Sequence, residues 1–135
     1  MWISPSFSKN DNLENTTINY KIGDKDERPW GKWEVIDVGS AHIVKKITIK
    51  PGNSSSLQKH SGRNEHWIII SGIADIVIGK EKTTLTPNQT AFIPIGTVHR
   101  IGNSGNIDLV KIEIQTGHLL DENDIIRLKD KYGRS

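Results

Sequence analysis

Turn-forming residues break this chain at short, even intervals, and that punctuation restricts its fold more than any other feature. Val38-Gly39-Ser40, Pro51-Gly52-Asn53, Ser71-Gly72, Gly79-Lys80, Pro87-Asn88, Ile95-Gly96 and Gly102-Asn103-Ser104-Gly105 each place glycine, proline or asparagine where a chain can reverse. Between them lie eight strand-like runs: 33–38, 42–49, 65–71, 74–78, 82–85, 91–93, 98–101 and 109–115. Short strands at this spacing predict an all-β antiparallel sandwich or barrel. Only 121–128 reads as helix, with acidic residues in its first turn and Arg127 and Lys129 near its end, so a short C-terminal helix is expected. Residues 1–25 are polar and aperiodic and read as an N-terminal arm, with order beginning near Arg28-Pro29-Trp30-Gly31. The remainder, 26–135, is long enough for one domain and too short for two.

Charge excludes several functions. The formal net charge is +2, with both signs scattered, so no nucleic-acid-binding stripe is expected. No apolar run approaches the length of a membrane span. The opening Met1-Trp2-Ile3-Ser4-Pro5-Ser6 lacks a basic segment followed by an apolar one, and a cytoplasmic location is expected. With no cysteine, disulfides, thiolate metal sites and a cysteine nucleophile are ruled out. No glycine-rich phosphate loop and no strained serine turn is present.

Metal-binding chemistry is concentrated between Gly52 and Gly72. Gln58 and His60 are two residues apart and share a strand face. The turn-prone Ser61-Gly62-Arg63-Asn64 predicts a hairpin that returns Glu65 beside them. Glu65, Trp67 and Ile69 then face inward, while His66, Ile68 and Ile70 face the other way, which makes His66 a structural residue. His99 arrives in Ile93-Pro94-Ile95-Gly96-Thr97-Val98-His99. Two imidazoles, a carboxylate and an amide oxygen suit a borderline or hard divalent metal. A lone histidine is more often structural than functional; the set carries the inference. His42 and His118 have no partner at useful spacing.

The glycine, Gln58, His60, Glu65 and Gly72 spacing resembles the first cupin motif, with Gln58 where histidine is usual. Pro94 to Asn103 resembles the second, with Asn88 where a glycine is usual. The likeness extends through Glu27-Arg28-Pro29-Trp30-Gly31, Ser56-Leu57-Gln58, Arg63-Asn64-Glu65-His66-Trp67, His99-Arg100, Ile112 to Gly117, Asp124-Ile125-Ile126-Arg127 and Asp130 to Arg134. Together these resemble the type II mannose-6-phosphate isomerase domain, commonly found behind a mannose-1-phosphate guanylyltransferase domain. The resemblance implies a cupin jelly-roll β-barrel, one divalent metal on Gln58, His60, Glu65 and His99, and interconversion of mannose 6-phosphate and fructose 6-phosphate. Zinc is expected first, with manganese, cobalt, nickel or iron able to occupy such a site. One departure bears on catalysis: Ser61-Gly62 stands where the family often carries two further histidines.

Isomerisation takes a proton from the carbon beside a carbonyl and returns it one carbon away, so it needs a Lewis acid and a proton carrier. Alternation on 109–115 places Lys111, Glu113 and Gln115 on one face. If that face lines the barrel, Glu113 is the candidate acid/base and Lys111 the second; a solvated outer face is the equal alternative. Arg28, Arg63, Arg100 and Arg127 are candidates for the substrate phosphate, with Gln115 a further contact and Arg63 close to the chemistry. The rival readings are a non-catalytic domain that binds a sugar phosphate or sugar nucleotide in polysaccharide biosynthesis, and an iron-dependent oxygenase, which Gln58 disfavours. A homodimer is expected, aided by Trp2, Ile3 and Phe7.

Overall fold

The computed structural model describes residues 15–129. Thirteen strands follow in chain order: β1 (Thr17–Ile18), β2 (Lys25–Arg28), β3 (Gly31–Val38), β4 (His42–Ile49), β5 (Leu57–Lys59), β6 (Arg63–Ser71), β7 (Ala74–Ile78), β8 (Glu81–Leu85), β9 (Thr90–Ile93), β10 (His99–Gly102), β11 (Leu109–Gly117), β12 (Leu119–Leu120) and β13 (Ile126–Lys129). All eight runs expected from the sequence are strands. They form a six-stranded sheet, β2-β3-β4-β11-β6-β9, and a five-stranded sheet, β13-β5-β10-β7-β8. Every pairing within these two sheets is antiparallel, whereas β1 and β12 pair parallel. Their inner faces meet over Trp33, Val35, Ile43, Ile47, Ile49, Trp67, Ile69, Ile76, Ile93, Ile101 and Leu109.

Two expectations need correction. No helix forms over 121–128: 121–125 is a turn, and Ile126–Lys129 is a strand on the edge of the five-stranded sheet, paired with β5. The acidic residues that read as a helix start have other partners. Asp121 Oδ1 accepts the Asn123 amide at 2.8 Å, a local turn that competes with helix. Asp124 accepts from Ser61 Oγ at 2.7 Å, Ser61 N at 3.0 Å and Gly62 N at 2.8 Å. Nor does order begin near Arg28: β1 pairs with β12, and Tyr20 is buried in the core. Trp2, Ile3 and Phe7 lie outside the described residues.

The link from β5 to β6 is not a hairpin. β5 pairs with β10 and β13, while β6 pairs with β11 and β9. Ser61-Gly62 therefore carries the chain from one sheet to the other, and His60 and Glu65 approach across the barrel. The crossing is tight. A Cβ on Gly62 would lie 2.6 Å from Leu119 Cβ, and one on Gly117 would lie 2.2 Å from the Gly62 carbonyl oxygen. Asn88, where the cupin pattern has glycine, has φ +74°, a left-handed conformation that asparagine tolerates better than most side chains.

Candidate metal centre and anion cradle

Alternation on β11 runs opposite to the usual rule. Lys111, Glu113 and Gln115 are buried inward, while Val110, Ile112 and Ile114 are only partly covered on the outer face. The inward set is hydrogen-bonded to itself. Lys111 Nζ donates to Glu113 Oε1 at 2.8 Å, and Gln115 Nε2 donates to Glu113 Oε2 at 2.8 Å. Lys111 Nζ also sits 3.6 Å from the Trp67 ring centroid. This answers the buried-charge problem: each charge has a partner, so the polar row is tolerated inside.

His60, just after β5, and His99 on β10 converge from the facing sheet on Glu65, which lies on β6 beside Gln115. Their donor atoms lie within 4.8 Å of one another, and all three are nearly inaccessible to solvent. The tautomers follow from the partners. His60 Nδ1 donates to the Asp124 carbonyl at 2.6 Å, and His99 Nδ1 donates to the Thr97 carbonyl at 2.9 Å. A carbonyl only accepts, so both Nδ1 atoms carry a proton, and whenever each ring holds that proton alone its Nε2 lone pair faces inward. His60 Nε2 stands 3.1 Å and His99 Nε2 3.9 Å from Glu65 oxygens. His99 Nε2 is buried with no hydrogen-bond partner among the described residues. A buried acceptor left unpaired is unfavourable unless something binds it. Lone pairs converging on one point, one of them orphaned, fit a divalent cation of the borderline class.

Gln58 belongs to the same row. It lies opposite His99 across β5–β10 and opposite Arg127 across β5–β13, so the three share a face. Its Oε1 accepts from Ser56 Oγ at 2.8 Å and retains a second lone pair. Glu65 is held by Trp67 Nε1 at 2.9 Å and Arg63 Nε at 2.8 Å. Burial by itself would raise the Glu65 carboxyl pKa, but the Arg63 guanidinium and the His60 ring hold it well below the usual range. Burial pushes the His99 imidazole down, with Glu65 opposing in part. Arg63 is itself buried; its Nη1 reaches the Asp121 carbonyl at 3.2 Å and its Nη2 the His60 Nε2 at 3.2 Å. Those contacts orient Glu65 and the 121–125 turn and leave little of Arg63 for a ligand. Arg100 is placed elsewhere: its neighbour His99 faces inward, and Arg100 lines an outer cleft with Ser54, Asp75 and Thr84.

Sequence reasoning missed a second cluster in the same cavity. Lys45, buried on β4, donates to Glu122 Oε2 at 2.6 Å and to Tyr20 Oη at 3.0 Å, and lies 4.2 Å from the Trp33 ring centroid. Tyr20 Oη donates to the same Glu122 oxygen at 2.7 Å, and Arg28 Nη2 reaches Glu122 Oε1 at 3.4 Å. Burial lowers the Lys45 ammonium pKa, with Glu122 only partly offsetting it. For Glu122 the balance is reversed: burial opposes the charge, but Lys45 and Tyr20 hold the carboxyl below its ordinary value. Burial and Glu122 push the Tyr20 phenol up, so it stays a donor. The signal was present: Lys45 shares a strand face with Ile43, Ile47 and Ile49, a lysine in an apolar row. A cavity of about 60 Å³ is lined by His60, Glu65 and His99, by Lys45 and Glu122 of the second cluster, and by Lys111 and Glu113. His66 lies on the outer face against Phe92, ring centroids 4.6 Å apart.

A jelly-roll barrel with two inward imidazoles and a carboxylate defines a cupin. Solved structures agree on the fold: CapF from Staphylococcus aureus superposes with a TM-score of 0.68 at 22% identity over 78% of this chain and 34% of that chain. Oxalate decarboxylase from Lactobacillus farciminis gives 0.67 at 21% identity, over 78% and 33%. Residues 15–130 match the family described as Mannose-6-phosphate isomerase C-terminal, and the chain belongs to that family. Among curated relatives, the xanthan biosynthesis protein XanB of Xanthomonas campestris pv. campestris is 49% identical over 108 residues, 80% of this chain and 23% of that protein. The alginate biosynthesis protein AlgA of Pseudomonas aeruginosa is 49% identical over 80% of this chain and 22% of its own. A mannose-1-phosphate guanylyltransferase of Salmonella montevideo is 49% identical over 80% and 23%. The chain thus spans less than a quarter of the length of these relatives. No helix among the described residues is long and apolar enough to cross a membrane.

Proposed function

We propose that this domain is a metal-dependent aldose–ketose isomerase acting on a sugar phosphate, converting mannose 6-phosphate to fructose 6-phosphate in polysaccharide precursor synthesis. The observation that carries the reading is the inward row of β11, which puts a buried carboxylate in the same cavity as the convergent histidines. His60, Glu65, His99 and the Gln58 amide oxygen would hold a divalent ion, which would supply Lewis acidity toward substrate oxygens. Glu113 takes the proton from C2 of the open-chain aldose and returns it to C1, while a hydroxyl proton passes from O2 to O1. Lys111, 2.8 Å from Glu113, orients that carboxylate and offers a positive charge to oxygens on which charge develops. Gln115 fixes the second carboxylate oxygen, and Arg63 orients Glu65. Ser61 and Gly62 bind Asp124 and do not line the cavity, so the change from two histidines there leaves the inward groups in place.

A second reading, a non-catalytic domain that binds a sugar phosphate or sugar nucleotide, is favoured by the small volume of the cavity. Incubating metal-loaded protein with mannose 6-phosphate and following fructose 6-phosphate separates the two. The isomerase reading requires turnover that Glu113→Gln and Glu65→Ala abolish; binding without turnover across zinc, manganese, cobalt, nickel and iron selects the second. Activity dependent on a redox change of bound iron would support the oxygenase. A cytoplasmic homodimer remains part of the proposal, and a monomeric mass in light scattering would end the dimer.

A further inference from the structure

The Glu122 carboxylate occupies a site built for an anion. It receives the Lys45 ammonium at 2.6 Å, the Tyr20 hydroxyl at 2.7 Å and the Arg28 guanidinium at 3.4 Å, the last also shared with Asp26 at 3.3 Å. Two cationic donors and a phenol on one small anion are what a phosphate group needs. Lys45 is almost fully buried, whereas Glu122 keeps a third of its side chain exposed, so the donors belong to the barrel and the acceptor to its rim.

Charge and volume point the same way. Inside the barrel, Lys45, Arg63 and Lys111 face Glu65, Glu113 and Glu122, three cations against three anions. Withdrawing Glu122 leaves Lys45 buried without a counter-charge, a state that persists only when another anion takes the place. A cavity of about 60 Å³ admits a metal ion and a few waters. Small-molecule pockets run to roughly 300–1,000 Å³. A sugar phosphate therefore enters only when part of the wall moves. The wall that carries Glu122 is the 121–125 turn, which is fixed to the barrel mostly by polar contacts: Asn19 and Arg63 to Asp121, and Ser61, Gly62 and His60 to Asp124.

We propose that Lys45, Tyr20 and Arg28 bind the phosphate of a phosphorylated sugar, and that Glu122 fills this site as an internal stand-in when the 121–125 turn is closed. Resting on the sugar-phosphate reading above, this assigns that substrate's phosphate a site: ligand phosphate displaces Glu122, and the same displacement opens the cavity over the metal-competent triad.

Calorimetric titration with inorganic phosphate, mannose 6-phosphate and unphosphorylated mannose tests it on the native protein and three variants. Glu122→Gln weakens the stand-in and should tighten both phosphate ligands about tenfold, with mannose unchanged. Lys45→Met and Tyr20→Phe should each weaken the phosphate ligands, Lys45→Met by about tenfold or more. Phosphate affinity that is unchanged or weaker in Glu122→Gln overturns the proposal. So does native affinity in a Lys45→Met protein with a cooperative melt. If Lys45→Met does not fold, Tyr20→Phe, which removes only the hydroxyl, decides: native affinity there overturns the cradle. Phosphate binding that follows residues 45 and 122 without isomerase turnover keeps the cradle and removes the isomerase. Turnover with phosphate affinity indifferent to both residues does the reverse.

Discussion

Removing a ligand from the triad should have opposite consequences with and without metal, and His99 shows this most clearly. Its Nε2 is a buried acceptor with no partner among the described residues, so the metal-free protein already bears an unfavourable group there. His99→Leu deletes that acceptor, loses the Nδ1 bond to the Thr97 carbonyl, and fills nearly the same volume. These effects oppose one another, and metal-free stability should change by no more than about 1 kcal/mol. Glu65→Gln is different. Arg63 Nε and Trp67 Nε1 both depend on that carboxylate, and breaking a buried pair leaves Arg63 uncompensated, at about 3–5 kcal/mol. Metal at a hundredfold over its Kd stabilises the folded state by about 2.7 kcal/mol. For 135 residues the unfolding entropy is about 0.28 kcal/mol/K, so the native protein should gain about 10 °C in Tm. Thermal melts of chelator-treated protein, with zinc, manganese, cobalt or nickel then added, read all three quantities. The expected pattern is a large metal shift in the native protein, none in His99→Leu at near-native metal-free Tm, and a low metal-free Tm in Glu65→Gln. A native protein indifferent to every metal would mean that a proton on His60 Nε2, not a cation, satisfies Glu65. An undiminished shift in His99→Leu would remove His99 from the ligand set.

Four further outcomes follow from the same contacts. Glu113→Gln should reduce isomerase turnover by about 10²–10⁴ while keeping the metal-induced Tm shift, since general acid/base catalysis contributes that much; equal losses of both would make Glu113 structural. Gly62→His should destabilise by about 1–3 kcal/mol in urea titration, because its Cβ meets Leu119 at 2.6 Å, whereas Ser61→His, on an exposed position, should be milder; the reverse order would contradict the tight crossing. Asn88→Val should lower stability by about 1–2 kcal/mol and Asn88→Gly leave it nearly unchanged, as φ +74° dictates; equal losses would show that the asparagine side chain matters more than its backbone. For Glu122 the folded carboxyl titrates below the 4.5 of an unfolded one, so its stabilisation is present above pH 4.5 and is lost as pH falls through the folded value; Glu122→Gln should flatten that part of the acid limb, and an unaltered limb would refute the pairing.

The strands were legible because turn chemistry and β-branched runs are local signals, and Asn88 shows how local: a departure from the glycine pattern reads, in the backbone, as the residue best able to replace glycine. The 121–128 segment was misread because its acidic residues satisfy the helix-start rule equally well as acceptors for groups far off in sequence. Ser61, Gly62 and Lys45 are what Asp124 and Glu122 bind, and no window of sequence holds both ends. The hairpin inferred at Ser61-Gly62 failed for a related reason: a turn signal fixes reversal, not the sheet in which the next strand pairs. β11 carries the most general lesson. Its alternation was plain, but alternation cannot say which face is inside, and here the polar face is. That choice leaves Val110, Ile112 and Ile114 outward and commits the interior to Lys111, Glu113 and Gln115. An interior so charged is stable only when each charge is answered. The same rule that explains the Lys111–Glu113 pair makes the orphaned His99 Nε2 informative and makes Lys45 dependent on Glu122 or on whatever anion replaces it.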